Sequence, residues 1–116
     1  MRAILERSNL LKSLSHVHRV VERRNTIPIL SNVLLVADGA NLQMKATDLD
    51  LEVSEATPAS VESGGATTVP AHLLYDIVRK LPDGAEVMLK TDENGNAMTV
   101  SAGRSNFRLQ CLPHRS

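Results

Sequence analysis

The sequence predicts an α+β domain in which antiparallel strands carry two helices on one side. Three observations lead there. Residues 8–24 and 70–81 each place apolar side chains at the spacing of an amphipathic helix. Short alternating or apolar-rich runs surround both, and turn signals separate them. The order strand–helix–strand–strand–strand also reads twice, over residues 1–57 and 64–112. Met44, Ala46, Leu51 and Val53 of the first copy register without gaps with Val100, Ala102, Phe107 and Leu109 of the second.

Residues 2–6 read as a short strand that leads into the first helix. Leu10, Leu11, Leu14, Val17, Val20 and Val21 form the helix's apolar stripe, and Ser8 is a candidate N-cap. Lys12, His16, Arg19 and Arg23 fall on one line opposite that stripe. Arg23 and Arg24 suit the negative pole at the helix end. Residues 24–31 connect, with Ile27 held extended by Pro28. Residues 33–37 and 42–47 flank Asp38-Gly39-Ala40-Asn41, a hairpin signal. Leu49, Leu51 and Val53 alternate with polar residues as in a half-buried strand. Residues 58–65 are rich in Pro, Ser and Gly and read as a surface loop.

The order then restarts. Residues 66–69 are a strand, and Pro70 suits a first helical turn. Leu73, Leu74, Ile77, Val78 and Leu81 form the second stripe, which Pro82-Asp83-Gly84 stops. His72, Asp76, Arg79 and Lys80 lie opposite. Residues 86–91 and 97–102 flank a second hairpin loop at 92–96. Residues 104–112 are a last strand, with Ser105, Phe107, Leu109 and Cys111 on one side.

Composition sets bounds on function. At 116 residues the chain is one domain with room for a real core. Tyr75 and Phe107 are its only aromatics apart from histidine, too few for a platform that stacks single-stranded bases. Thirteen basic and thirteen acidic residues give a formal net charge of zero, so any basic face is local. A single cysteine rules out an intrachain disulfide and fits a reducing compartment. No run approaches membrane-spanning length, and the expected location is the cytoplasm.

Four groups of residues are candidate sites. The row Lys12, His16, Arg19 and Arg23 contains no acid, whereas a merely solvated helix face mixes Glu with Lys; the row therefore points to phosphate contact. His16 and His18 stand two apart on a helix and point to different sides, so they make a poor metal pair, and no metal is expected. Asp48, Asp50 and Glu52 share a strand face but lack the glycine of a calcium loop, which leaves a solvated face. Cys111 with His114 lacks a third partner for nucleophilic catalysis. Without a phosphate-binding glycine loop or a nucleophile elbow, the chain does not read as an enzyme, and no cofactor is implied.

Five segments carry a family resemblance: Thr26-Ile27-Pro28-Ile29-Leu30-Ser31-Asn32, Ala46-Thr47-Asp48-Leu49-Asp50, Ala66-Thr67-Thr68-Val69-Pro70-Ala71, Leu81-Pro82-Asp83-Gly84-Ala85 and Gly103-Arg104-Ser105-Asn106-Phe107. In this order they resemble the first domain of the bacterial sliding clamp, the beta subunit of DNA polymerase III. The resemblance implies the DNA-clamp fold, and a subunit of three such domains, of which the second and third are absent here. It implies two subunits closed head to tail around duplex DNA, and a non-catalytic processivity factor that tethers the replicative DNA polymerase and is set on DNA by a clamp loader. By the same resemblance Arg24 matches an arginine that touches DNA. Lys12, His16, Arg19, Arg23, Arg79 and Lys80 would lie on helices lining the hole. Leu73, Ile77, Phe107, Leu109 and Arg104 would lie at the joint of the homodimer. The competing expectations are a stand-alone module that binds protein partners through an exposed edge strand, and a small enzyme with a site at the helix–sheet boundary.

Overall fold

The structure, a computed structural model, describes residues 1–19, 32–47, 52–92 and 95–111. Its elements in chain order are β1 (Arg2–Glu6), α1 (Arg7–Val17), β2 (Asn32–Asp38), β3 (Asn41–Thr47), β4 (Glu52–Pro58), β5 (Ser60–Ser63), β6 (Gly65–Pro70), α2 (Ala71–Lys80), β7 (Glu86–Thr91), β8 (Ala97–Ala102) and β9 (Ser105–Gln110). The order strand–helix–three strands thus occurs twice, with β5 between.

The architecture is antiparallel α+β, but the strands divide into two sheets, ordered β5-β1-β7-β8-β9 and β4-β3-β2-β6. Each half lends its first strand to the other half's sheet. β1 pairs with β7, Arg2 opposite Lys90 through Glu6 opposite Glu86. β6 pairs with β2, Pro70 opposite Asn32 through Gly65 opposite Ala37. Separating the halves would break both ladders and expose their backbone groups.

The local patterns explain the strands. Val33, Leu35 and Ala37 alternate inward on β2, as do Leu42, Met44 and Ala46 on β3. Met98, Val100 and Ala102 repeat this on β8. Gly39 (φ 63°) and Gly103 (φ 58°) each open a two-residue hairpin loop, where a positive φ is needed. These strand residues join Leu10, Leu14 and Val17 of α1 and Ala71, Leu74, Ile77 and Val78 of α2 in one core. α1 packs on β1, β3, β4 and α2, and α2 also meets β6.

Several expectations change. α1 starts at Arg7, with Glu6 as its N-cap and no side-chain capping bond, so Ser8 is inside the helix and does not cap it. The described helix ends at Val17, where the His18 amide donates to the Leu14 carbonyl (2.9 Å). Val20, Val21, Arg23 and Arg24 lie outside the described residues. Residues 58–65 are not simply a loop: β5 pairs with β1, Ala3 opposite Val61, and Val61 packs partly on the core. Tertiary pairing here overrides a turn-rich composition. Pro70 is the N-cap of α2, not its first turn. Leu73 leaves the apolar stripe and is 48% exposed, because it sits about 100° around the helix from Leu74. Arg104 belongs to the β8–β9 turn and not to the last strand.

Arg7 ties the two halves together. Its guanidinium donates from Nε to the Val78 carbonyl (3.1 Å), from Nη2 to the Arg79 carbonyl (2.9 Å) and from Nη1 to the Asp83 carboxylate (2.8 Å). A cation in the first turn of α1 faces the wrong pole of its own helix. It faces the correct pole of α2, whose last carbonyls it satisfies.

Candidate nucleic-acid interface

The buried stripe of α1 (Leu10, Ser13, Leu14 and Val17) fixes which way its polar residues point. Lys12 and His16 are exposed on the other side, and Arg19 is exposed in the turn beyond the helix. Arg19 therefore extends the row from a turn and not from a helical face. On α2, Arg79 and Lys80 are exposed at the C-terminal end.

The row is not free of acid, as the sequence suggested. His16 Nδ1 lies 2.6 Å from Glu55 Oε1, a carboxylate supplied by β4. Local spacing could not reveal it, because the acid comes from 39 residues away in the chain. Arg79 lies 3.5 Å from Asp76 one turn earlier. Lys12, Arg19 and Lys80 make no ion pair among the described residues.

The two helices are pinned by rings. His18 stacks on Tyr75 (centroids 3.9 Å apart, planes at 15°), and His72 meets His18 edge-on at 5.4 Å. The Arg79 guanidinium sits 5.3 Å from the Tyr75 centroid, a cation–π contact. This contact joins the end of α1 to the middle of α2 and gives their cationic positions a fixed relation. Helical spacing within either element does not show this contact, because its rings, His18 and Tyr75, come from distant parts of the chain.

The remaining candidates separate. His16 and His18 engage different partners, and no three His, Cys, Asp or Glu among the described residues are grouped to hold an ion. Glu52 is exposed on β4, while Asp48 and Asp50 lie outside the described residues. Cys111 is buried, and desolvation pushes its thiol up from the usual range. The Asp92 carboxylate adds to that rise, while a Thr67 hydrogen bond and Arg108 oppose it. A thiol held protonated is a poor nucleophile, and His114 lies outside the described residues.

Among the described residues β9 pairs with β8 alone and so forms one edge of the five-stranded sheet. Of the residues expected at a joint there, Leu73 and Arg104 are exposed and Phe107 is half-buried against the core. Ile77 and Leu109, at 8% and 2% exposure, are core residues of the domain itself and offer little surface to a partner. Alternation put Phe107 and Leu109 on one face, and that face turns inward.

Comparison with known proteins is consistent along the chain. The family model for the DNA polymerase III beta subunit, N-terminal domain, matches residues 1–116. The beta sliding clamp of Caulobacter vibrioides is 53% identical over 113 residues, covering 97% of this chain and 30% of that protein. The beta sliding clamp of Escherichia coli K12 is 44% identical over 115 residues, covering 97% and 31%. Among solved structures, the DNA polymerase sliding clamp from Caulobacter crescentus superposes with a TM-score of 0.94 at 53% identity, over 97% of this chain and 30% of that one. A sliding clamp (DNA polymerase III subunit beta) from Bartonella birtlesii gives 0.92 at 60% identity, over 97% and 30%. The chain spans about 30% of the length of the relatives it matches. Two swapped antiparallel sheets carrying two pinned helices, in a sequence this similar over nearly its whole length, place the chain in the DNA polymerase III beta subunit family, as the N-terminal domain.

Proposed function

We propose that this domain is one segment of a ring that encircles duplex DNA and holds the replicative polymerase to it, with the face of α1 and α2 turned toward the phosphates. The observation that supports this best is the set Lys12 and His16 on α1, Arg19 in the turn after it, and Arg79 and Lys80 on α2, all exposed, with His18 and Tyr75 pinning the two helices together. Arg23 and Arg24, which follow α1 in sequence, add two further cations to the chain near it. The ring, by encircling the duplex, supplies retention, so phosphate contacts need only be few and weak. A chain of zero net charge with a local cationic face suits that task. Nothing in this arrangement reads base edges, so binding is independent of sequence. The role is non-catalytic and cytoplasmic. A clamp loader and a second subunit complete the list of partners. No helix among the described residues is long and apolar enough to cross a membrane.

The test is a titration of the chain with two duplexes of unrelated sequence at low and at raised salt. Weak binding of equal strength to both, falling steeply with salt as counterions are released, is the expected result. A marked preference for one sequence, or binding indifferent to salt, would contradict the proposal.

A further inference from the structure

Glu55 occupies an unusual place. It lies on β4 between Val53 and Thr57 on the side of the strand that is more sheltered than its neighbours, where Thr57 is buried and Val53 packs on the core. An apolar residue would be the default there, since a half-buried carboxylate loses hydration. The β3–β4 ladder fixes its position, with Glu55 opposite Met44. From there it reaches His16 at 2.6 Å, next to Lys12 on the exposed line of α1.

We propose that Glu55 restrains DNA contact: its carboxylate holds a negative charge at the margin of the cationic face and keeps phosphate binding weak enough for the domain to move along the duplex. The inference rests on the reading that the α1–α2 face meets DNA. Glu55 acts through His16 and through the local field, so it is a positioning residue and not a DNA contact. The sign does not depend on the protonation state of His16. With Glu55 the pair carries a charge between minus one and zero; with glutamine it carries between zero and plus one. Removing the carboxylate therefore makes the face more positive by as much as one unit, and by less to the extent that His16 gives up a proton with it. Asp76, a second acid among the described residues near the cations, is 3.5 Å from Arg79 on its own helix and offsets that cation directly.

The experiment compares Glu55→Gln, Glu55→Asp and Lys12→Ala with the parent in duplex titrations of the 116-residue chain, well below each melting temperature. A gain of up to one unit of charge near the phosphates corresponds to as much as about threefold tighter binding for Glu55→Gln at low salt, shrinking as salt is raised. Glu55→Asp keeps the charge and stays close to the parent. A loss of stability alone would lower or leave affinity and could not produce this salt-dependent gain. If Glu55→Gln binds no tighter than the parent while Lys12→Ala weakens binding, the restraint is wrong and the DNA face stands. If neither variant changes binding, or the parent does not bind, the face itself is wrong and the restraint falls with it.

Discussion

Replacing Arg7 with methionine is expected to lower the stability of the folded chain by about 1.5–3 kcal/mol, the range for hydrogen bonds to a charged group. The side chain is 13% exposed, and its bond to the Val78 carbonyl is partly buried. Methionine keeps the packing of the stem but leaves the Arg79 carbonyl at the end of α2 without its protein donor. The Val78 carbonyl keeps one bond, from the Leu81 amide at 3.2 Å. Most of the loss arises at the two carbonyls, because the Asp83 carboxylate is 96% exposed and its ion pair contributes little. Chemical denaturation of parent and variant measures the difference. A drop no larger than that of Asp83→Asn would show that the carbonyl bonds do not hold the two halves together.

In a full-length ring, Leu73→Ser combined with Phe107→Ala is expected to shift the dimer toward monomer. Each change removes on the order of 1–3 kcal/mol of apolar contact at the proposed joint. Leu73 is the large apolar side chain left exposed among the described residues, and Phe107 is half-buried at the β9 edge. Both can offer surface to another subunit, as an unpaired edge strand can offer its backbone. Leu109 is left out because it is 2% exposed. Its truncation would cost about 2–5 kcal/mol of core packing and would confuse dissociation with unfolding. Sedimentation at nanomolar concentration, with melting as a control on the fold, decides the matter. A double variant as dimeric as the parent would place the joint elsewhere.

What was legible in the sequence was local. The alternation of Leu42, Met44 and Ala46, and of Met98, Val100 and Ala102, marks strands because side-chain direction has a period of two. Gly39 and Gly103 mark hairpins because their loops need a positive φ. The exchange of β1 and β6 between sheets was not legible, since alternation shows a strand's faces but not its partner. β5 escaped notice because an exposed edge strand carries few apolar residues. The same division holds at the candidate site. The exposure of Lys12 and His16 follows from helical spacing, whereas the Glu55 carboxylate and the Tyr75 stack arrive from other elements. Arg7 did leave a local trace, a cation at the unfavourable end of its helix, but the carbonyls it serves lie 71 and 72 residues away.

Whether the α1–α2 face meets the phosphates can be read from backbone amide shifts of the 116-residue chain, followed by NMR during titration with duplex DNA. The expected changes cluster from Lys12 to Arg19 and around Arg79 and Lys80, the same for unrelated duplexes and fading as salt is raised. Changes confined to β5 or to the β9 edge, or changes that persist at raised salt, would contradict phosphate contact by this face.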